Sequence, residues 1–492
     1  MQLSMPIRFF FLFVFTGLVT VHLPLAVSGL NQEGIYLQRL KLFLSDPTDV
    51  FSSWSERDLT PCSWTGIGCD AGGSVVSVSL SGYSLAGPFP VFLCSLPSLS
   101  SLNLSNNSIN SSLPHSISEC SKLVSLDLSE NLIGGNIPHT LSDLDFLRHL
   151  DLSYSSFSGE IPATFGRFRS LEYLVLTDNE LNGTIPASLE SIGNLSRLTN
   201  FDVSNNQLTS GLPSTISQTK SIVQIEIFNN SLTGELPARW SNLTRLRRFD
   251  GSMNSITGTI PSELPLESLN LFQNQLEGSL PEGISGSPNL RELKLFRNRL
   301  GGSLPAQLGA NSALWILDVS YNNFSGTIPE ELCEKGCLSE LILINNSFSG
   351  NIPSNLGRCR TLRRIRLRSN RLSGEVPPDF FGLPLVFLID LNDNGSSGNI
   401  SGKISGAKNL SSLQISRNKF SGSIPGEIGT LVNLVEFSAS QNELRGELPL
   451  ALMNLKQLVT VDLSNNYLSG EIPGEIHSLS LLSELNLSGN QL

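Results

Sequence analysis

Basic residues, and charged residues in general, are scarce in this chain of 492 residues. Lysine and arginine together number 32 against 43 aspartates and glutamates, so the formal net charge is −11, and charged residues make up only 15% of the sequence. Nucleic-acid binding requires a broad basic surface that neutralises phosphates. The composition therefore excludes nucleic acid as an expected partner.

Residues typical of catalytic chemistry are also few. Histidines after residue 28 lie far apart in the sequence, and we expect scattered surface positions for them: His115, His139, His149 and His477. The chain contains no Gly-x-Ser-x-Gly motif, no phosphate-binding glycine loop and no zinc-ligand spacing. We therefore expect no catalytic residue, no metal and no cofactor, and we do not expect an enzyme.

Long apolar runs are limited to one, from Phe9 to about Val27, which follows the positive charge of Arg8. Ala26 and Ser28 are small residues with the spacing of a cleavage site, so residues 1–28 are predicted to be a signal peptide. An uncleaved membrane anchor is the alternative, because the run is nearly long enough to span a bilayer. No second run of about 18 apolar residues follows. The chain as given is expected to enter the secretory pathway without a membrane anchor.

What the sequence has in abundance is a repeat. The segments "LNLSNNSI" at 102–109 and "VDLSNNYL" at 461–468 share the pattern Leu-x-Leu-x-x-Asn-x-Leu, whose asparagine we call the marker. The marker position recurs from 83 to 490 in 17 steps, of which 15 are 24 residues long; the others are a step of 27 to Asn206 and one of 20 to Asn274. A proline follows seven residues after the marker in 16 of 17 repeats, the exception being Ser401. Such a period predicts a repeat architecture.

Each repeat is too small to bury its leucines alone, so the turns must stack into one continuous core. The leucines are predicted to point inward from a short strand, while the residues between them point outward. The marker asparagine is expected to turn inward and satisfy backbone groups that the bend leaves unpaired. The prediction is an α/β repeat solenoid of about 18 turns, curved, and roughly 80–90 Å along its inner face at about 4.8 Å per strand.

Two further features carry a family resemblance. A predicted amphipathic helix is followed by "WSERDLTPCSWTGIGCD" at 54–70, and the 24-residue units contain Gly-x-Ile-Pro, as at 470–473. Together these resemble plant-specific leucine-rich repeats, with a cap at 29–73 and repeats at 74–492, the last incomplete. Stretches such as "FNNSLTGELP" and "RLSGEVPPDFFGLP" resemble the extracellular domains of the HAESA class of receptor-like kinases, which bind small peptide hormones. The apolar positions of the predicted helix are Ile35, Leu37, Leu40, Phe43 and Leu44.

Cysteine spacing predicts three disulfides. Cys62 and Cys69 lie close together in a secreted cap, where a disulfide is the expected state. Two other pairs have the same offsets, 11 and 13 residues, from consecutive markers, which predicts bonds between adjacent turns: Cys94 with Cys120, and Cys333 with Cys359. Cys337 is then left as a free or dimer-forming thiol, although it is also an alternative partner for Cys333.

Asparagine-linked glycosylation is expected at several Asn-x-Ser/Thr sequons of a secreted protein. The predicted sites are Asn103, Asn110, Asn182, Asn194, Asn242, Asn323 and Asn409. Asn394 is also in a sequon but occupies a marker position, so it is expected to be buried and bare.

A local concentration of arginine stands out on this acidic chain, in "TLRRIRLRSN" at 361–370. The repeat pattern directs Arg364, Arg366 and Arg368 outward onto the concave face, where guanidinium groups roughly 6–7 Å apart can share one carboxylate or sulfate. A solvated patch that only aids solubility is the alternative. The HAESA resemblance implies that Arg364 and Arg366 bind the free C-terminal carboxylate of a peptide. It also implies that Glu226 binds a hydroxyproline hydroxyl, in a pocket formed with the backbone around Phe249 and Ser268.

The spacing of these residues suits an extended peptide. Six turns separate Glu226 from Arg364, roughly 29 Å, which an extended chain of about nine residues covers. The expected function is the extracellular ligand-binding region of a receptor for a small secreted, hydroxyproline-containing peptide; the alternative is a secreted, non-signalling decoy or enzyme inhibitor with the same repeat.

The resemblance also implies a co-receptor kinase with leucine-rich repeats as a second partner. A full-length receptor would lie in the plasma membrane with its repeats outside the cell. The chain stops after Asn490 without the further repeats, membrane helix and kinase of the HAESA class, so we expect a truncated, secreted form that cannot signal alone.

Overall fold

The computed structural model describes residues 29–190, 196–237, 240–262 and 266–492. The predicted signal peptide, 1–28, and the sequon at Asn194 lie outside the described residues. Within the described residues, no helix is both long enough and apolar enough to cross a membrane.

The chain begins with a cap built on one α-helix, α1, Gln32–Phe43. The side chain of Asn31 accepts a hydrogen bond from Gly34 N at 2.9 Å and so caps the helix. Leu37, Leu40 and Leu44 are buried as expected, because they face the first repeats. Ile35 and Phe43 are apolar positions of the same predicted helix, but they are 46% and 39% exposed. Phe43 packs at the surface, edge-on to Phe92.

The repeats stack their first strands into one long sheet of nineteen strands. The first pair is antiparallel and closes the cap, and every following pair is parallel. Registers remain intact across both irregular steps, at Tyr173–Asn200 and Arg248–Ser268, so the inserted and deleted residues lie in the return segments. The strands are Ile67–Cys69, Val75–Ser79, Ser101–Asn103, Ser125–Asp127, His149–Asp151, Tyr173–Val175, Asn200–Asp202, Gln224–Glu226, Arg248–Asp250, Ser268–Asn270, Glu292–Lys294, Ile316–Asp318, Glu340–Ile342, Arg364–Arg366, Leu388–Asp390, Ser412–Gln414, Glu436–Ser438, Thr460–Asp462 and Glu484–Asn486.

A second strand follows each marker up to Asn466 and pairs with its neighbours on the flank of the solenoid. These strands form smaller parallel sheets, of which the largest has nine strands. They are Ala86–Gly87, Ser108–Ile109, Gly134–Asn136, Ser156–Glu160, Glu180–Asn182, Thr209–Ser210, Ser231–Glu235, Ser255–Thr257, Glu277–Ser279, Arg299–Ser303, Asn323–Gly326, Ser347–Gly350, Arg371–Glu375, Gly395–Asn399, Lys419–Gly422, Glu443–Gly446 and Tyr467–Leu468.

Most return segments are short 3₁₀ helices that begin after the repeat proline, and the cap contains two more, Val50–Ser53 and Pro61–Ser63. Where serine replaces this proline, the Ser401 hydroxyl accepts a hydrogen bond from Lys403 N at 3.2 Å and caps the turn. The 3₁₀ segments are Val50–Ser53, Pro61–Ser63, Val91–Ser95, His115–Glu119, His139–Asp143, Ala163–Arg167, Ala187–Glu190, Ser214–Gln218, Trp240–Asn242, Glu282–Gly286, Glu330–Cys333, Ser354–Arg358, Pro378–Gly382, Gly402–Gly406, Gly426–Thr430, Leu450–Asn454 and Gly474–Ser478.

The marker asparagines connect each turn to the one before it, as predicted. The Asn131 amide group donates to Leu104 O of the preceding turn at 2.9 Å and to Leu128 O of its own turn at 3.1 Å. Its oxygen accepts from Ile109 N at 3.0 Å. The residue before this marker, Glu130, has φ +53°, which bends the strand into the second sheet. Each asparagine thus satisfies backbone groups that the bend leaves without partners.

Candidate functional site

The parallel register places equivalent outward residues of successive turns side by side on the solvent-facing side of the long sheet, which we call the concave face. Arg364 lies opposite Glu340 on one neighbouring strand and Leu388 on the other. Arg366 lies opposite Ile342 and Asp390. The sequence prediction that both arginines share this face is therefore in agreement with the strand register.

Each arginine of the pair has a carboxylate nearby. Arg364 Nη1 is 3.8 Å from Glu340 Oε2, and Arg366 Nε is 3.6 Å from Asp390 Oδ2. Both distances exceed that of a normal hydrogen bond. The arginine side chains are 36% and 33% exposed. The patch is thus a pair of accessible cations with partial internal compensation rather than an isolated positive charge.

Asp390 differs from an ordinary outward residue because its side chain is only 1% exposed. Burial raises the pKa of its carboxyl above the usual value, while a hydrogen bond from Asn392 N and the charges of Arg366 and Arg368 act in the opposite direction. Burial likewise raises the pKa of Asp318, which is also within the influence of Arg364 and Arg366. The repeat period places Asp390 among the outward residues, but it does not predict that the side chain is buried.

The third arginine of the stretch belongs to a different cluster. Arg368 Nε is 3.2 Å from Asp393 Oδ2, and Arg417 from the next turn binds the same carboxylate. The Arg417 hydrogen bond is the main reason that the pKa of Asp393 is lowered. Arg368 is therefore engaged, which leaves Arg364 and Arg366 as the pair available to an external anion.

Glu226 lies in a cleft of about 410 Å³ on the same face. The Gln224 side-chain amide donates a hydrogen bond to its carboxylate. Phe249 and Ser268 line the cleft too, so the three residues expected to form one pocket are brought together. Residues that the sequence analysis did not single out complete the lining: Arg248, Asp250, Glu267, Asn270, Arg291, Glu292 and Trp315.

The Phe249 side chain does not face the cleft. It is 1% exposed and packs edge-on against Trp240, with ring centroids 4.5 Å apart. Only its main chain can contact a ligand, as the sequence analysis supposed, and the outward neighbours Arg248 and Asp250 provide the side chains. The Ser268 hydroxyl is already a donor to Glu292 Oε2 at 3.1 Å. The repeat period alone could have placed Arg248 and Asp250, since they align with Gln224 and Glu226.

Aromatic rings also lie in the turns that form the cleft. Phe272 and Phe296 stack with centroids 4.4 Å apart and planes inclined by 7°. Trp315 is 44% exposed at the edge of the cleft.

The cysteine pairs of the structure are those expected from the sequence: Cys62–Cys69, Cys94–Cys120 and Cys333–Cys359, with Cys337 free. The expectation of scattered histidines was wrong for two of them. His115 and His139 are 24 residues apart, occupy the same position in adjacent turns and have ring centroids 4.9 Å apart. Among the described residues, no group of three or more potential metal ligands is present.

Sequon asparagines differ in how their amide groups are used. Asn110, Asn182, Asn242, Asn323 and Asn409 are exposed, and Asn103 is half-buried on the concave face. At Asn394 the amide nitrogen donates to three backbone carbonyl oxygens, those of Leu367, Leu391 and Asn392. A glycan on that nitrogen would break this arrangement.

The disulfide-capped solenoid, with its parallel strands stacked in one long sheet, has the fold of leucine-rich-repeat proteins. Family models agree: a leucine rich repeat N-terminal domain matches residues 30–70, and leucine rich repeat models match 97–157, 170–192, 197–219, 265–287, 313–334, 361–383, 409–431 and 457–479. The crystal structure of the Arabidopsis receptor kinase HAESA with the peptide hormone IDA and the co-receptor SERK1 is 50% identical, with a TM-score of 0.75, over 94% of this chain and 86% of that chain. The chain belongs to the HAESA class of plant leucine-rich-repeat receptor-like kinases.

Other relatives are consistent with this placement. Receptor-like protein kinase 5 of Arabidopsis thaliana is 55% identical over 74 residues, and receptor-like protein kinase HSL1 of the same plant is 48% identical over 75 residues. Each match covers 15% of this chain, but only 7% and 8% of the respective kinases. The plant peptide hormone receptor RGFR1 in complex with RGF2 is 29% identical, with a TM-score of 0.64, over 87% of this chain and 83% of that chain.

Proposed function

We propose that this chain is the extracellular ligand-binding region of a plant receptor kinase and that it binds a small secreted peptide in extended form along the concave face. The C-terminal carboxylate of the peptide is held by Arg364 and Arg366. A hydroxyproline of the peptide occupies the cleft at Glu226, with its hydroxyl donating to the carboxylate.

The observation that carries the proposal is the state of the arginine pair. Both guanidinium groups are partly exposed, and their nearest carboxylates lie beyond hydrogen-bond distance. Two adjacent cations with unused donors on a rigid sheet suit a carboxylate, which forms charge-assisted hydrogen bonds with more than one guanidinium. If the patch only aided solubility, its two arginines would not need to lie in strand register with acidic residues that are buried or half-buried.

The distance between the two subsites favours a peptide rather than a small metabolite. Six strand-to-strand steps separate Glu226 from Arg364, roughly 29 Å, and about nine extended residues cover that span. Because the sheet is preorganised, most of the ordering cost lies on the peptide, and a proline-type residue at its centre lowers that cost.

The relatives support both partners. HAESA was crystallised with the peptide hormone IDA and the co-receptor SERK1, and RGFR1 with the peptide RGF2. By analogy we propose a peptide hormone as ligand and a co-receptor kinase with leucine-rich repeats as second partner. Such receptors act with their repeats outside the cell, which is the location we propose for this region.

Binding of synthetic peptides tests the proposal. IDA and a set of hydroxyproline-containing peptides would be titrated into the purified protein by calorimetry, each with a free and with an amidated C-terminus. We expect binding of at least one free-acid peptide and a loss of a hundredfold or more on amidation, since charge-assisted hydrogen bonds contribute about 1.5–3 kcal/mol each. Equal affinity for the free-acid and amidated peptides would mean that the arginines are only a solvated patch.

A further inference from the structure

Asp390 occupies the strand position directly opposite Arg366. Its Oδ2 lies 3.6 Å from Arg366 Nε, and its side chain is 1% exposed whereas that of Arg366 is 33% exposed. The Nε atom of Arg366 is itself buried and has no hydrogen-bond partner among the described residues. A guanidinium has five N–H donors in one plane. Asp390 therefore lies at the buried edge of this guanidinium and leaves the exposed edge to an external anion.

The charged groups around Asp390 come from its own turn and from both neighbours. Asn392 N donates to it within its own turn, and Arg366 and Arg368 face it from the preceding turn. On the following turn its register partner is the neutral Gln414, which in turn binds Glu436.

The wider surroundings of Arg366 and Asp390 contain as many acidic as basic side chains. On the far side of Arg366 lies Arg364 with Glu340, and Asp318 lies one strand beyond. In the turn of Asp390, Asp393 forms ion pairs with Arg368 and Arg417. A ligand carboxylate would thus add a negative charge to a pair of cations that already have two acids next to them.

We infer that Asp390 is a positioning residue for the arginine pair and that it takes up a proton when a peptide carboxylate binds, so that recognition of the peptide C-terminus is linked to pH. This inference rests on the proposed function.

The direction of the linkage follows from the charges. In the free protein the arginines oppose the effect of burial on the Asp390 pKa. A ligand carboxylate occupies those arginines and brings a like charge, and both effects raise the pKa further in the complex. Binding then takes up a proton between the free and bound pKa values. Affinity increases as pH falls through the bound value and levels off below the free value.

The test is calorimetry of IDA binding in two buffers with different ionisation enthalpies, at several pH values between about 5 and about 7.5. We expect a net uptake of up to about one proton, and an affinity that rises by at most about tenfold per pH unit on acidification. Amidated IDA should lack this uptake. Asp390→Asn should bind with most of the uptake lost and with a flatter pH profile.

Asp393→Asn is the matched control, because it removes a carboxylate from the same turn whose pKa is already lowered by Arg417. It should retain the wild-type uptake. Wild-type binding without proton uptake, or unchanged uptake in Asp390→Asn, overturns the inference and leaves the proposed function standing. If neither IDA nor any of the hydroxyproline-containing peptides binds at any pH, the proposed function fails and the inference with it. Should Asp390→Asn fail to fold, the comparison of free and amidated peptide on the wild type decides.

Discussion

Phe381 and Phe420 have ring centroids 6.2 Å apart, although they belong to turns that are not adjacent. Phe381 lies in the return of the turn marked by Asn370, and Phe420 lies two residues after the marker Asn418. The turn between them has Ser396 where its neighbours have Leu372 and Phe420. The small serine leaves room, and the two phenylalanines meet across it.

The first prediction concerns this contact. Ser396 is 1% exposed, and its hydroxyl has no hydrogen-bond partner among the described residues. Ser396→Ala should therefore be neutral or stabilising, by about 1 kcal/mol, because a buried unpaired hydroxyl is removed. Ser396→Leu should cost about 1–3 kcal/mol by overpacking against Phe381 and Phe420. Urea unfolding midpoints of the wild type and both variants measure these changes. A leucine variant that is more stable than the wild type would show that the phenylalanines do not fill the space.

The second prediction concerns the arginine pair. Arg364→Ala and Arg366→Ala together should weaken peptide binding a hundredfold or more, with non-additive single effects, because both contact the same carboxylate. Arg366→Ala should also lower stability since it leaves the buried Asp390 without its cation, whereas Arg364→Ala releases only the half-exposed Glu340. Arg371→Ala, an exposed residue of the flanking sheet, is the control and should bind normally. Full affinity in the double variant would remove the pair from the binding site.

The third prediction concerns the cleft. Glu226→Gln should reduce the preference for hydroxyproline over proline peptides, because a neutral amide oxygen is a weaker acceptor than a carboxylate. Its thermal unfolding should barely change, since the side chain faces solvent on the sheet. Paired titrations with the hydroxyproline and proline forms of a peptide that binds the wild type measure the preference, and Glu436→Gln, on the same face beyond the arginines, is the control. An unchanged preference would mean that another group reads the hydroxyl.

The fourth prediction concerns pH and stability. Burial is the main cause that raises the pKa of Asp202 to about 6, and Glu226 adds to it, while hydrogen bonds from Ser204 oppose it. A carboxyl with a raised pKa is destabilising when ionised, so Asp202→Asn should stabilise the protein by about 1–3 kcal/mol above pH 6. The gain should fade as the pH drops towards the ordinary carboxyl value of 3.8.

The asparagine variant of Asp202 has a precedent within the chain. Asn103 accepts two hydrogen bonds from Ser105, one from its N–H and one from its hydroxyl, as Asp202 does from Ser204. The variant creates an Asn-Val-Ser sequon, so it should be produced in the bacterial periplasm, where it stays unmodified. Urea unfolding at pH 7.5 and pH 4 measures the difference; an equal gain at both values would exclude the ionisation as its cause.

The fifth prediction concerns glycans. Asn394 should be unoccupied in protein from a eukaryotic host, because its amide nitrogen is committed to three backbone carbonyl oxygens. The exposed Asn110 and Asn182 provide the comparison within the same sample. Glycopeptide mass spectrometry reads all three sites. A glycan on Asn394 would mean that the sequon is modified before its turn folds.

The sequence by itself determined the solenoid, its marker ladder and the face on which Arg364, Arg366 and Glu226 lie. It could do so because a strict period repeats the same backbone hydrogen bonds in every turn, and a strand alternates its side chains between core and solvent. The same period paired the cysteines of adjacent turns.

Only the tertiary structure decided how far each outward side chain is buried and which charged side chains lie close together. Asp390 and Leu388 are both outward by period, yet Asp390 is buried while Leu388 is half-exposed. The cover on a residue comes from side chains of the neighbouring turns, 24 positions away in either direction, and the periodic pattern carries no information about their size or rotamer. The contact across Ser396 and the balance of acids around the arginine pair depend on those neighbours in the same way.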